Sequence, residues 1–346
     1  MDSTTAPAPA SINPRLLLRR KPAREPGYYV DGIRRADRVA LGQAITLMES
    51  RRPADRALAE AVLDACMPLA GRSTRIGITG SPGVGKSTFI DALGMHLVEN
   101  GHKLAVLAVD PSSQLSRGSI LGDKTRMARL SMAEEAFIRP SPAGESLGGV
   151  AQRTRETLLL CEAAGYDVVL VETVGVGQSE IAVHDMTDFF LLLLLPGAGD
   201  ELQGIKRGIV EMADLIAVNK ADGEAAQAAR RAQAAYRQAL HLFPAKESRW
   251  QPEVVTCSAL SEQGIGEIWT TVEKYCALTR ENGYFEEQRR RQSINWLHDA
   301  LREQLLSAFY QRPAVQALLP QLEAEVQAGR RSTSSAARQL LNTLEG

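Results

Sequence analysis

One segment of nine residues constrains the fold more than any other part of this 346-residue chain. Residues 80–88 read GSPGVGKST, which fits GxxxxGK[ST], and they lie between an apolar run at residues 75–79 and a helical stretch at residues 88–100. In that order the glycines let successive backbone N–H groups point into one concavity, and the helix start adds partial positive charge. The segment therefore predicts a phosphate-binding loop between a strand and a helix. All nine residues are candidate binding residues: Gly80, Ser81, Pro82, Gly83, Val84, Gly85, Lys86, Ser87 and Thr88.

Two side chains of this loop offer the chemistry that a triphosphate needs. The ammonium group of Lys86 would reach the β- and γ-phosphates, which makes Lys86 a candidate catalytic residue. The hydroxyl of Ser87 would bind Mg²⁺, which makes Ser87 a candidate metal ligand. The loop thus predicts a magnesium–nucleotide complex without choosing between adenine and guanine.

A second segment favours guanine. Residues 219–222 read NKAD and follow an apolar run. The carboxylate of Asp222 can accept hydrogen bonds from N1–H and the exocyclic amine of guanine, whereas adenine would leave it desolvated without partners, at a cost of about 1–3 kcal/mol. We expect Asn219 to tie this segment to the phosphate-binding loop, and the stem of Lys220 to cover the base.

A third segment supports the same choice. Residues 257–260 read CSAL after another predicted strand and resemble a loop that meets the guanine carbonyl through backbone N–H groups. The candidate base-binding residues here are Ser258, Ala259 and Leu260. Two such segments, in this order after the phosphate-binding loop, predict GTP or GDP as the bound nucleotide.

Acidic residues at strand ends are candidate magnesium residues. Glu172 ends an apolar strand and Gly175 follows three residues later, in the place of a DxxG switch. Glutamate replaces the usual aspartate, so we expect Glu172 to act on the metal directly or through water, and we name it a candidate catalytic residue as well. Asp110 ends another predicted strand, and Asp123 lies in a polar, glycine-containing segment that nucleotide binding would order.

No residue is well placed to orient the attacking water. Gln178 and Glu180 are polar, but neither follows Gly175 directly, where Ras-type GTPases carry their catalytic glutamine. We therefore expect slow hydrolysis by the chain alone, with a partner completing the site.

The alternation of segment types from residue 75 onward predicts an α/β fold. Short apolar runs alternate with helical stretches, which indicates a mostly parallel central sheet flanked by helices. The predicted strands are residues 75–79, 104–109, 168–171, 189–195, 215–218 and 253–256, and the predicted helices between them are residues 88–100, 153–164 and 224–240.

Outside that region the chain predicts helical extensions. We expect a poorly ordered arm at residues 1–30, a helical extension at 31–74, a P-loop GTPase domain at 75–280 and a helical dimerisation segment at 281–346. In the last segment Ile294, Leu297, Leu301, Leu305 and Phe309 recur at three- and four-residue steps, so a second copy is a candidate partner.

Composition excludes several classes of protein. Forty Lys and Arg residues balance 41 Asp and Glu residues, which argues against a dedicated nucleic-acid binder. The apolar run at residues 189–195 is too short for a membrane span, which needs about 20 residues, and we expect no membrane partner. The four cysteines contain no CxxC pair, which is typical of a cytoplasmic protein, although an Arg-rich mitochondrial presequence stays open at the N-terminus.

Seven motifs together resemble one family. GSPGVGKST, VDPSS, SRGSILGDKTRM, RPSPAGESLGGV, ETVGVGQSE, PGAGDELQGIKRG and NKADG occur in this order. They resemble the methylmalonyl-CoA-mutase-associated GTPases of the MeaB/ArgK type, in the metallochaperone-like branch of P-loop GTPases. The resemblance extends from about residue 35 to about residue 310.

The resemblance implies a chaperone role. Members couple GTP binding and hydrolysis to loading an adenosylcobalamin-dependent acyl-CoA mutase with intact cofactor from an adenosyltransferase, and to ejecting damaged cofactor, without binding cobalamin themselves. They are typically homodimers. The resemblance makes Asp110, Asp123 and Glu172 the switch and magnesium acids, and it makes residues 197–206 a further switch. Lys206 in that switch would supply positive charge to the transition state once the partner docks.

Two other functions remain as alternatives. A nickel-type metal-delivery GTPase needs clustered Cys or His ligands, and the five histidines here are scattered. A P-loop small-molecule kinase needs an acceptor pocket and no guanine-reading segment. A structural protein with a vestigial site is disfavoured because Lys86 and Ser87 are intact.

Overall fold

The computed structural model of the chain describes residues 24–50, 52–109, 126–140, 147–173, 179–197 and 207–344. Seven strands in these ranges form one sheet with the order β3-β2-β4-β1-β5-β6-β7, and every neighbouring pair is parallel. The strands are β1 Thr74–Gly80, β2 Leu104–Val109, β3 Ala136–Arg139, β4 Val168–Thr173, β5 Phe189–Leu194, β6 Leu215–Val218 and β7 Glu253–Thr256.

Helices cover both faces of this sheet. They are α1 Pro26–Arg34, α2 Arg38–Met48, α3 Pro53–Cys66, α4 Lys86–Glu99, α5 Leu147–Ala163, α6 Ser179–His184, α7 Arg207–Met212, α8 Ala226–Leu240, α9 Ile265–Glu281, α10 Tyr284–Tyr310, α11 Pro313–Gln327 and α12 Thr333–Asn342. The predicted α/β fold with helical extensions is confirmed. Across the described ranges, no helix has the length and apolar character needed to cross a bilayer.

The sheet is buried on both faces, which explains its continuous apolar runs. All six residues of β5 are buried. Ile76 and Ile78 of β1 pack with α4 and α9 on one face, while Val169 and Val171 of β4 pack with α5 and the N-terminal helices on the other. In a parallel sheet, the loops that precede the strands lie at one edge and the loops that follow the strands lie at the opposite edge.

The N-terminal extension is a set of packed helices. Helices α1, α2 and α3 contact α5, and the side chain of Asp37 caps α2 by accepting a hydrogen bond from the N–H of Val39 at 2.8 Å. The first of these helices begins at Pro26, inside the segment for which we predicted a poorly ordered arm, because proline suits the first turn of a helix. Residues 1–23 lie outside the described residues.

Two buried ion pairs lie at the edge where strands begin: one attaches the long helix α10 there, and the other joins β1 to α5. Arg289 donates to both carboxylate oxygens of Asp188, at 2.8 and 2.7 Å, and to the carbonyl oxygens of Gly71 and Ser73. Arg75 donates to both carboxylate oxygens of Glu162, at 2.8 and 2.9 Å. The C-terminal helices are therefore attached at the edge opposite the loops that follow the strands.

Candidate nucleotide-binding site

The predicted site residues that the structure describes lie at one edge of the sheet. The phosphate-binding loop follows β1, Glu172 is the second-last residue of the neighbouring strand β4, and the NKAD and CSAL segments follow β6 and β7. In open parallel sheets this edge is where ligands bind. Asp110, Asp123 and Lys206 lie outside the described residues, so their predicted roles stay predictions.

Two glycines let the phosphate-binding loop adopt its shape. Gly85 has a φ of +91°, in the left-handed region, and helix α4 begins at the next residue. A side chain at Gly80 would place its Cβ 2.5 Å from the carbonyl oxygen of Leu193, so glycine is needed for the close approach to β5. The loop therefore turns sharply into the helix, as the motif predicts.

The ammonium group of Lys86 is bound by its own loop. It donates to the carbonyl oxygens of Gly80 at 2.7 Å and Ser81 at 3.3 Å. Burial lowers the pKa of Lys86, while the charges of Glu172 and Glu180 act in the opposite direction. Phosphate oxygens are stronger acceptors for an ammonium than carbonyl oxygens, so a triphosphate can replace these two bonds.

Ser87 and Glu172 fit a magnesium ion. The hydroxyl of Ser87 donates to Oε1 of Glu172 at 3.3 Å. Two oxygen ligands at right angles, each about 2.1 Å from one Mg²⁺, lie about 3.0 Å apart. The separation and the hydroxyl–carboxylate chemistry suit a shared ion, with Glu172 bound either directly or through a water molecule.

Asn219 joins the phosphate-binding loop to the two base-binding segments. Its amide nitrogen Nδ2 donates to the carbonyl oxygen of Val84 at 2.9 Å, and its oxygen Oδ1 accepts from the N–H of Ala259 at 3.0 Å. The side chain is 1% exposed, so these bonds are shielded from water. The structure thus contains the connection that we predicted for Asn219.

The hydrogen bonds of the CSAL segment differ from our prediction. The N–H of Ser258 donates to the carbonyl oxygen of Gln263 and that of Ala259 donates to Asn219, so both groups hold the loop rather than point to a base. The Ala259 bond forms because the buried carboxamide of Asn219 needs a donor as well as an acceptor. The Ser258 bond belongs to an antiparallel bridge between Ser258 and Gln263. Leu260, the third predicted residue, is 82% exposed.

The rest of the NKAD segment is arranged above the phosphate-binding loop. Nζ of Lys220 donates to the carbonyl oxygen of Gly83 at 2.8 Å, which extends its stem across the loop mouth. Asp222 is half-buried and precedes a short turn of helix at Gly223–Ala225. Its carboxylate is thus accessible to a base that lies against the Lys220 stem.

Glu180 is a buried acidic residue to which the sequence alone assigns no role. It lies in the first turn of α6, is 5% exposed, and its charge acts on the ammonium of Lys86. Its position in the sequence, directly after the predicted switch and at the start of a helix, is the signal that could have placed it near the nucleotide site.

Comparisons with known proteins identify the family of this chain. The family model described as methylmalonyl-CoA mutase-associated GTPase MeaB matches residues 41–314. GTPase ArgK of Escherichia coli is 51% identical over 278 residues, which cover 80% of this chain and 84% of that protein. The mouse protein named methylmalonic aciduria type A homolog, mitochondrial, is 45% identical over 324 residues, covering 91% of this chain and 78% of the mouse protein.

A solved structure agrees as well. The crystal structure named LAO/AO transport system kinase has a TM-score of 0.72 and 39% identity, and the match covers 97% of this chain and 100% of that chain. The family match spans the phosphate-binding loop, Glu172 and both base-binding segments. The chain therefore belongs to the MeaB family of methylmalonyl-CoA mutase-associated GTPases.

Proposed function

We propose that this GTPase is a chaperone of an adenosylcobalamin-dependent acyl-CoA mutase, and that its nucleotide state gates cofactor loading and the removal of damaged cofactor. The family description and the name of the mouse relative support a mutase as the client. The observation that carries the nucleotide part is the buried Asn219, which links the phosphate-binding loop to the base-binding segments. A cobalamin adenosyltransferase is the proposed donor of the cofactor.

The proposed reaction is in-line attack of water on the γ-phosphate of GTP. The P–O bond to the β-phosphate breaks as the bond to water forms, and the proton of water leaves with inorganic phosphate. Lys86 would bind the β- and γ-phosphate oxygens in place of the carbonyls it now contacts. Ser87 and Glu172, with Asp110 and Asp123, would hold Mg²⁺, which supplies charge neutralisation on the phosphates.

The client would complete the catalytic site. We propose that Lys206, in the switch at residues 197–206, supplies positive charge to the transition state when the mutase docks. Lys206→Ala should then reduce mutase-stimulated hydrolysis and leave the slow basal rate unchanged. Equal stimulation of both proteins by the mutase would remove Lys206 from this role.

We also propose a homodimer formed through the C-terminal helices. Four side chains on one face of α10 are about half exposed or more, and a face of that kind on a monomer is a site for a partner. They are Ile294, Leu297, Leu301 and Leu305 at 56%, 54%, 48% and 68% exposure.

The test is hydrolysis with and without candidate clients. The purified GTPase is mixed in turn with purified adenosylcobalamin-dependent acyl-CoA mutases from the source cell, and phosphate release from GTP is followed. One of them should raise the rate, and capture from lysate with a GTP analogue or GDP should retain the same mutase. If none changes the rate, the chaperone proposal fails, and transfer of labelled γ-phosphate to an organic acceptor would instead support a kinase.

A further inference from the structure

The side-chain hydroxyls of two threonines form a hydrogen bond with each other next to the phosphate-binding loop. Oγ1 of Thr173 donates to Oγ1 of Thr79 at 2.9 Å. The two residues are 0% and 1% exposed, so bulk water does not compete for this bond. Valine has almost the same shape as threonine and would fill the same space, so apolar packing alone does not require hydroxyl groups at these positions.

Each threonine lies directly beside a residue of the nucleotide site. Thr79 precedes Gly80, the first residue of the phosphate-binding loop, and Thr173 follows Glu172. The bond therefore connects the last residues before the loop to the last residues of the strand that carries the carboxylate.

The strand register shows what the bond fixes. Ile78 of β1 is paired with Glu172 of β4, and Thr79 and Thr173 are the next residues along the two strands. Because side chains alternate between the faces of a sheet, the threonines lie on the face opposite Glu172. Glu172 lies on the α4 face, where it accepts the hydroxyl of Ser87. A bond on one face thus holds together the two strand ends whose other face carries the magnesium residues.

We propose that Thr79 and Thr173 form a positioning pair that fixes the separation between the Ser87 hydroxyl and the Glu172 carboxylate, and thereby sets the affinity of the nucleotide complex for Mg²⁺. The proposal rests on the proposed magnesium–nucleotide site. Neither threonine touches the nucleotide in this account, since both act through the backbone of their neighbours.

The test measures GDP affinity by calorimetry as a function of Mg²⁺ concentration, and in EDTA. Thr79→Val and Thr173→Val should raise the Mg²⁺ concentration that gives half of the metal-dependent gain in affinity by about tenfold, the effect expected for one buried hydrogen bond. Affinity in EDTA should stay as in the unchanged chain. The double variant should be no worse than the worse single variant, because both substitutions remove the same bond.

Two further substitutions separate positioning from general packing. Thr173→Ser keeps the hydroxyl and should restore the Mg²⁺ dependence. Thr279→Val is the matched control, because Thr279 is 0% exposed but bonds to the carbonyl oxygen of Tyr275 within helix α9. If the valine variants do not fold, Thr173→Cys, which keeps a weaker donor at the γ position, should give a smaller shift in the same direction.

The outcomes are distinct. A shift no larger than that of Thr279→Val, or an equal loss of affinity with Mg²⁺ and in EDTA, would overturn the positioning pair. If GDP affinity of the unchanged chain does not respond to Mg²⁺ at all, the proposed magnesium site fails first, before any variant is compared.

Discussion

At the scale of single residues, Lys86 is held by bonds that a nucleotide must replace. Its ammonium group contacts two carbonyl oxygens of its own loop, which keeps the charge at the loop mouth. The loop is therefore built before the ligand arrives, and binding costs little reorganisation there.

Lys86→Ala should reduce GTP hydrolysis by about 100-fold or more, the usual effect of removing one donor to a developing negative charge. Phosphate release at saturating GTP measures it. Lys274→Ala is the control, because Lys274 is exposed on helix α9. Turnover near that of the control would refute the phosphate role of Lys86.

Asp222→Asn should shift the base preference of the site from guanine towards xanthine. The amide cannot accept both donors of guanine but can donate to the extra carbonyl of xanthine, so GTP should bind more weakly and xanthosine triphosphate more tightly. Competition binding of the two nucleotides measures the ratio.

Asn219→Ala provides the contrast at the same loop. Asn219 joins the loops without reading the base in our account, so its loss should weaken both nucleotides to a similar extent. An unchanged ratio in Asp222→Asn would take Asp222 out of the base site.

Parts of the site could be predicted because their chemistry is local. The phosphate-binding loop needs only its glycines and the following helix, and Asn219 follows from the NKAD pattern. The bonds between Ala259 and Asn219 and between Thr79 and Thr173 join residues far apart in sequence. Such pairs depend on strand order and register, which no segment of the chain specifies by itself.

At the scale of elements, the ion pair between Arg75 and Glu162 makes stability depend on pH. Burial alone would raise the pKa of Glu162, but the hydrogen bonds and charge of Arg75, helped by the hydroxyl of Ser73, hold it below its ordinary value of 4.5. A carboxyl with a lowered pKa stabilises the fold above its unfolded pKa, and that contribution is lost as pH falls through the folded pKa.

Glu162→Gln should lower the free energy of unfolding by about 3 kcal/mol at pH 7, because it leaves the buried Arg75 without its charge partner. Urea denaturation between pH 7 and pH 3 measures the difference from the unchanged chain. The difference should shrink as pH falls below 4.5. A gap that stays constant over that range would mean that the ionised carboxylate is not the stabilising form.

Most strands could be predicted because buried parallel strands form uninterrupted apolar runs. Strands β2, β6 and β7 begin and end at the predicted residues. Strand β1 is one residue longer at each end than predicted, β4 is two residues longer at its end, and β5 is one residue shorter at its end. Strand β3 was missed, since its four residues, AFIR, end in a charge and form the outermost strand of the sheet, next to β2. Helix α9 was missed although its apolar period is intact, with buried residues at three- and four-residue steps, among them Ile265, Ile268, Trp269 and Val272.

At the scale of the whole molecule, α10 extends beyond what the sheet covers. Its 27 residues span about 40 Å, and its apolar face is exposed over the second half. The double substitution Leu301→Glu and Leu305→Glu should convert the proposed dimer to a monomer, because two charges cannot be buried in an apolar interface. Light scattering after size-exclusion chromatography measures the mass.

Leu242→Glu is the control for that experiment. Leu242 is 81% exposed but lies after helix α8, away from the C-terminal helices. It should leave the mass unchanged, and GTP hydrolysis by the monomeric variant should stay at its slow basal rate. A monomeric unchanged chain would refute the dimer directly.

The joint between α10 and the sheet carries a natural optical probe. The ring of Trp296 lies 5.7 Å from the guanidinium carbon of Arg75 and 5.4 Å from that of Arg155, and its N–H binds the carbonyl oxygen of Asp185. Indole fluorescence responds to nearby charge and hydration. With the other two tryptophans, Trp250 and Trp269, replaced by phenylalanine, emission from Trp296 would report without any dye whether the long helix keeps its contacts with the sheet while nucleotide and the proposed client bind and leave.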